Sequence, residues 1–253
     1  MTGSDQQQSS AGPTIESVND LVDHLAIVTA DGRETWYRGH RNRVWLLQSS
    51  AHRDPKYRRE ERAMLDRFRQ EAASAGLQYA FDEWGWLTFA QHHQLPTRLL
   101  DWSQSPLVAL YFASEDSEES GETDGEYFVL SPNELNKEAG DNASGHPKLL
   151  TVGDHQLDEY LPERDGAGNS KPRAVIAPML FDRIRFQTGT FTVSQKPQGS
   201  DDDQPLRQSQ AIQSFIIPRD AKEQIRTQLN SLGFNEATIY RDLDRITKKI
   251  SRF

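Results

Sequence analysis

The run Gln91-His92-His93-Gln94-Leu95-Pro96-Thr97-Arg98-Leu99-Leu100-Asp101-Trp102-Ser103-Gln104-Ser105-Pro106 lies between two apolar segments, and that juxtaposition limits the fold of this chain more than any other feature. Before it, Trp84, Leu87, Phe89 and Ala90 fall within two turns and predict a helix over 82–93. After it, Pro106 is well placed in a first helical turn, and Leu107, Val108, Leu110, Tyr111, Phe112 and Ala113 predict a buried helix directly behind the polar connection. A connection that only reverses the chain needs a few Gly, Asn or Asp residues. This one carries His, Thr, Arg, Asp, Trp and Ser, the composition of a site.

The rest of the chain supplies a single core with long insertions. With 253 residues, 35% apolar content and a mean hydropathy of -0.77, the sequence is polar for a globular protein, and a single domain of this size buries roughly 70–75% of its unfolded surface. Residues 1–13 read as a disordered leader rich in Gln, Ser and Gly, and residues 14–253 as one domain with loop insertions near 115–125 and 194–210. Ile15, Val18, Leu21, Val22 and Leu25 predict a first helix behind Thr14 as cap. A helix over 58–76 turns Met64, Leu65 and Phe68 inward, with Arg58 to Arg69 as its solvated face. Strands are expected at Glu34–Arg38, Glu126–Leu130, Arg173–Ala177, Phe186–Val193 and Ile212–Ile217, with 132–172 irregular apart from one helix. Two C-terminal helices follow, the first capped by Asp220 and closing at Gly233, the second carrying Ile239, Leu243, Ile246 and Ile250. The fold class is therefore α+β, a mainly antiparallel mixed sheet flanked by helices.

Several function classes fall away. There is no cysteine, hence no disulfide framework, thiolate metal site or Cys nucleophile. Neither a phosphate-binding Gly-rich loop, a His-Glu-x-x-His pair nor a Gly-x-Ser-x-Gly elbow is present, and the adjacent His92 and His93 diverge by about 100° on a helix, so no metal is expected. No apolar run reaches the roughly 20 residues of a membrane span, so no membrane partner is expected and the cytoplasm is the expected location. The net charge of -9 opposes unassisted binding along nucleic acid. Positive charge is nevertheless concentrated between Arg38 and Arg69, where a polyanionic ligand would be drawn.

Trp36-Tyr37-Arg38-Gly39 together with the block from Gln91 to Pro106 resembles the FRG domain, a bacterial family named for its aromatic-Arg-Gly motif. The helix Pro106–Ala113, the segment Arg183–Phe191 and the end Tyr240-Arg241-Asp242-Leu243-Asp244 resemble further blocks of that family, in order. This chain departs from it at Gln94, where Gly is usual, and at Arg241, where Pro is common. A remoter resemblance is to the ADP-ribosyltransferase fold, which uses an Arg on an early strand, a Ser-x-Ser element after a strand and a Glu on a later strand. Tyr37-Arg38-Gly39 resembles the first, and Ser103-Gln104-Ser105 the second. The third has no Glu; Gln187 is the best occupant, with Gln210 and Gln213 as rivals.

These resemblances imply NAD or a related nucleotide as ligand, without a metal, and ADP-ribosyl transfer or NAD cleavage by an effector in phage defence or a toxin, with an unknown protein or nucleic-acid acceptor. Arg38, His92, Asp101, Ser103 and Gln187 would be catalytic, and Tyr37, Arg38, Gly39, Thr97, Arg98, Trp102 and Ser105 would bind the nucleotide. The alternative function is a noncatalytic module that recognises a nucleotide or a protein. Structural alternatives also stand: Arg38 pairing with Asp101, Arg98 anchoring the turn, His92 and Trp102 as core residues, and Thr97, Ser103 and Ser105 as caps.

Overall fold

The computed structural model describes residues 12–77, 79–115, 123–140, 149–166, 171–176, 189–197 and 205–240. Its centre is a seven-stranded sheet built from β1 (Trp36–His40), β2 (Leu99–Ser103), β3 (Gly125–Leu130), β4 (Leu150–Thr151), β5 (Arg173–Ile176), β6 (Gly189–Val193) and β7 (Ile212–Ile217), in the order β4-β5-β6-β2-β1-β3-β7. Every pairing is antiparallel except β4 with β5. The mainly antiparallel mixed sheet flanked by helices is therefore present.

Strand alternation sends the two sets of side chains to different cores. On one face, Tyr37, Tyr127, Val129, Phe215 and Ile217 pack against α1 (Val18–Val28), α5 (Pro106–Ser114) and α7 (Lys222–Ser231). Further along that face, Leu99, Phe191, Val193 and Val175 meet Leu65 of α3 (Pro55–Ser74) and Trp84 and Leu87 of α4 (Glu83–His92). The opposite face buries Trp36, Leu100, Trp102, Phe128 and Leu130 beneath Leu47, Leu206 and Leu135 of α6 (Pro132–Glu138).

Helix α5 sits almost on the sheet backbone, and two glycines make that approach feasible. A Cβ on Gly39 would lie 2.0 Å from the Ala109 carbonyl oxygen, and one on Gly125 would lie 2.2 Å from that of Ala113. Nothing larger than hydrogen fits at either position.

The sheet is nearly split at its middle. β1 shares five register positions with β3, from Trp36↔Leu130 to His40↔Glu126, but a single one with β2, Tyr37↔Ser103. β2 in turn runs with β6 over five positions. The two halves thus touch at one point and diverge beyond it.

Several expectations need correction. The first helix starts at Val18, capped by Ser17, whose Oγ accepts from the Asp20 amide, while Thr14 and Ile15 extend the sheet edge and the Ile15 amide donates to the Ile216 carbonyl at 2.9 Å. Asp220 caps no helix: it lies in a 3₁₀ turn, Arg219–Ala221, and pairs with Arg219. The solvated face of the basic helix is interrupted, because Arg58 and Glu61 are buried. β1 starts two residues later than expected, at Trp36, and continues through Gly39 to His40. The segment 132–172 holds more order than one helix: α6, β4 and the 3₁₀ turns His155–Tyr160 and Pro162–Arg164. Of the second C-terminal helix, α8 (Glu236–Tyr240) is described.

Candidate functional site

Where β1 and β2 part lies a partly open cavity of about 340 Å³. β1 contributes Tyr37, Arg38, Gly39 and His40; the loop after it, Arg41 and Trp45; and the end of α2 (Ser50–Arg53), Arg53. β2 contributes Asp101, Trp102 and Ser103, and the far wall is Val108, Ala109 and Phe112 of α5 with Glu115 behind them.

Arg38 is held on two sides. Its Nε donates to His40 Nε2 at 3.0 Å and its Nη1 to the Asp101 carbonyl at 2.5 Å. Burial lowers its pKa to about 10, with the nearby Asp101 carboxylate opposing the shift and Arg53 adding to it, so Arg38 remains a cation at neutral pH. The Arg38–Asp101 ion pair considered from the sequence is absent: the carbonyl takes the guanidinium, and the Asp101 carboxylate accepts from Gln91 Nε2 at 2.8 Å. Arg53 donates to the Gln48 carbonyl at 3.2 Å. Among the described residues neither Arg38 nor Arg53 has a carboxylate at ion-pair distance, although Arg41, Arg43, Arg69, Arg98 and Arg207 all do.

His40 is buried, and its pKa is held well below the usual imidazole value by that burial and by Arg38, Arg53 and Arg207. A neutral ring is what allows Nε2 to accept from Arg38. At the other end, Arg41 lies 5.0 Å over the Trp45 ring and pairs with Glu115, which also accepts from the Tyr240 hydroxyl at 2.9 Å.

The structure gathers Tyr37, Arg38, Gly39, Asp101, Trp102 and Ser103 at this cavity. It does not bring Thr97, Arg98, His92 or Ser105 to its wall. Arg98 is 1% exposed and points into a separate network, bonded to Glu61, to Asp165 and to the Tyr160 carbonyl. Burial alone would lower its pKa; Glu61 and Asp165 outweigh that and raise it. Thr97 is buried, donating to Gln91 Oε1 at 2.5 Å and accepting from the Leu99 amide. His92 packs against His93, with ring centroids 5.1 Å apart. Ser105 occupies the cap position of α5 without a side-chain cap bond, while the Ser103 hydroxyl accepts from the Ser105 amide at 3.0 Å. Trp102 lines the cavity yet is also a core residue, its indole donating to Thr192 Oγ1 at 3.0 Å. Gln187 lies outside the described residues, and so does the whole segment 177–188.

Sequence reasoning missed His40, Arg41, Trp45, Arg53, Phe112 and Glu115 as cavity residues. His40 had a signal, since it lies two positions from Arg38 on the same strand and so on the same face. Arg41 and Arg53 were visible only as members of a basic stretch. Among the described residues no group of acidic and His side chains could hold a metal ion, and no helix is long and apolar enough to cross a membrane.

Comparison with protein families matches one span, Arg33 to Glu122. Residues 33–122 are an FRG domain. Every described residue that lines the cavity, from Tyr37 to Glu115, falls inside the span matched by the FRG domain. The domain match is shorter than the resemblance read from the sequence, for the blocks Arg183–Phe191 and Tyr240–Asp244 lie beyond it. No curated protein and no solved structure matches the chain.

Proposed function

We propose that the cavity binds an anionic nucleotide, NAD or a relative, and that the protein is an ADP-ribosyltransferase or NAD-cleaving effector of phage defence or toxin type. The observation that carries the reading is the pair Arg38 and Arg53: two guanidiniums with no carboxylate at ion-pair distance among the described residues, lining one cavity, in a chain of net charge -9. Clustered cations that a protein leaves uncompensated are stabilised by a bound anion, and Arg suits phosphate because its donors match two oxygens at once. Trp45 and Phe112 on the cavity wall offer faces for a base or a nicotinamide ring. A cavity of about 340 Å³ falls within the range of small-ligand sites.

In the proposed reaction the bond from the ribose C1′ carbon to the nicotinamide nitrogen breaks. Nicotinamide leaves with the bonding pair, and water or an acceptor hydroxyl or amine bonds to C1′ and gives up its proton. The transition state carries positive charge on the ribose, so a carboxylate nearby stabilises it. Asp101 is the cavity carboxylate with no cation at ion-pair distance among the described residues and fits that role, whereas Glu115 is committed to Arg41 and Tyr240. Gln187, the residue assigned to the later strand, could hold a ribose hydroxyl but supplies no charge. The test is incubation of purified wild type and Arg38→Ala with NAD, with and without cell lysate as acceptor, following nicotinamide by chromatography. Release by the wild type alone is expected. NAD binding without release would leave the noncatalytic recognition module, a reading favoured by the ties that Arg38 and Asp101 already have within the protein.

A further inference from the structure

The Arg38 side chain has three nitrogens and the protein occupies two of them. Nε donates to His40 Nε2 and Nη1 to the Asp101 carbonyl, while Nη2 has no hydrogen-bond partner among the described residues. His40 is itself fixed: it is 2% exposed and stands edge-on to Phe128 at 5.0 Å and to Trp45 at 6.1 Å between ring centroids. The charged groups facing it are Arg38 on its own strand, Arg53 from α2 and Arg207 from the turn before β7, the last held by Glu126. An imidazolium among three guanidiniums would be repelled by all of them, so the ring stays an acceptor.

We propose that His40 is a positioning residue, which grips Arg38 by its Nε edge and thereby presents Nη2 to a phosphate oxygen of the nucleotide. This inference rests on the reading of the cavity as a nucleotide site. Without His40, Arg38 keeps one anchor, a single backbone carbonyl, and its guanidinium can rotate about that contact. A side chain with an acceptor at the same reach substitutes for the imidazole; an apolar or shorter one does not. His40 acts through Arg38 alone, so its contribution disappears when Arg38 is absent.

The experiment combines two readouts. In protein labelled with 15N, the Arg38 Nε–H signal, assigned by its loss in Arg38→Ala, is expected to exchange slowly in the wild type and in His40→Gln. In His40→Leu and in the polar but shorter His40→Asn it is expected to exchange at least tenfold faster; either of these two suffices if the other does not fold. Calorimetric titration with NAD is expected to show at least a tenfold loss of affinity for the same variants, rescue in His40→Gln, and no further loss when His40→Leu is added to Arg38→Ala. Unchanged Nε–H exchange in both His40→Leu and His40→Asn, or additive losses in the double variant, would overturn the proposal. Absence of NAD binding by the wild type would defeat the nucleotide reading instead, and the exchange measurement would still decide whether His40 holds Arg38.

Discussion

Arg98 is buried and Arg38 half-buried, and the two arginines have opposite surroundings. Arg98 meets Glu61 and Asp165 in bonds of 2.7 to 3.2 Å, whereas Arg38 meets a neutral imidazole and a carbonyl. Removing one partner of a buried ion pair strands the other, at a cost of about 3–5 kcal/mol. Arg98→Ala is therefore expected to lower the unfolding free energy by that amount in a urea titration, and Arg38→Ala by about 1 kcal/mol or less, since it strands no charge. Gln94, at φ 66°, is the one non-glycine residue with positive φ among those described. A left-handed conformation costs an ordinary residue roughly 1–2 kcal/mol, and glycine recovers most of it. Gln94→Gly, the residue usual in the resembling family, is expected to raise stability by up to about 1 kcal/mol; a fall of similar size would contradict this. Arg98 and Gln94 were both legible as turn residues, but the burial of Arg98 against Glu61 was not. That contact joins the turn to α3, 37 positions earlier in the chain, and no local pattern encodes it.

The helix α5 and the strand β2 differ in how plainly the sequence announces them. Pro106 followed by an unbroken apolar run marked α5 almost to the residue. β2 was missed: Leu99, Leu100, Trp102 and Ser103 are all buried and only Asp101 is exposed, so a central strand covered on both faces shows no alternation. The single β1–β2 register position was equally hidden, because strand pairing at such separation is set by packing rather than by local spacing. Gly39 belongs to this scale. It had been read as a nucleotide contact, and although it lines the cavity, the approach of α5 fully accounts for its missing side chain. Gly39→Ala would force the helix off the strand and is expected to cost about 3 kcal/mol, seen as a fall in thermal midpoint, with near-UV circular dichroism reporting the displaced aromatic residues.

Over the whole molecule, two buried neutral histidines tie stability to pH. Burial lowers the pKa of His52 to about 3, with Arg98 adding to the shift, and pushes that of His40 well below its usual value. In the unfolded chain both take up a proton near pH 6.5, so the unfolded state binds more protons below that value and stability falls as pH falls. The loss from these two groups is expected to open near pH 6.5 and, for His52, to continue to about pH 3, at up to about 1.4 kcal/mol per pH unit for each histidine. Denaturant midpoints measured from pH 7 to 4.5 check this, and His52→Asn should flatten the slope; an unchanged slope would contradict the assignment.

The α+β architecture and the presence of Arg38 and Asp101 at one cavity were readable because they depend on local pattern and on motif residues. The cavity itself was not readable: Arg53 reaches it from a four-residue helix and Trp45 from a loop, positions fixed by tertiary packing alone. Calorimetric titration of NAD into wild type, Arg38→Ala and Arg53→Ala tests the central claim most directly. Loss of one charge-assisted contact of about 1.5–3 kcal/mol weakens binding roughly 10- to 100-fold, so each variant should bind that much less tightly, with wild-type affinity falling as salt is raised. Equal affinity for all three proteins, or no binding by the wild type, would contradict the account.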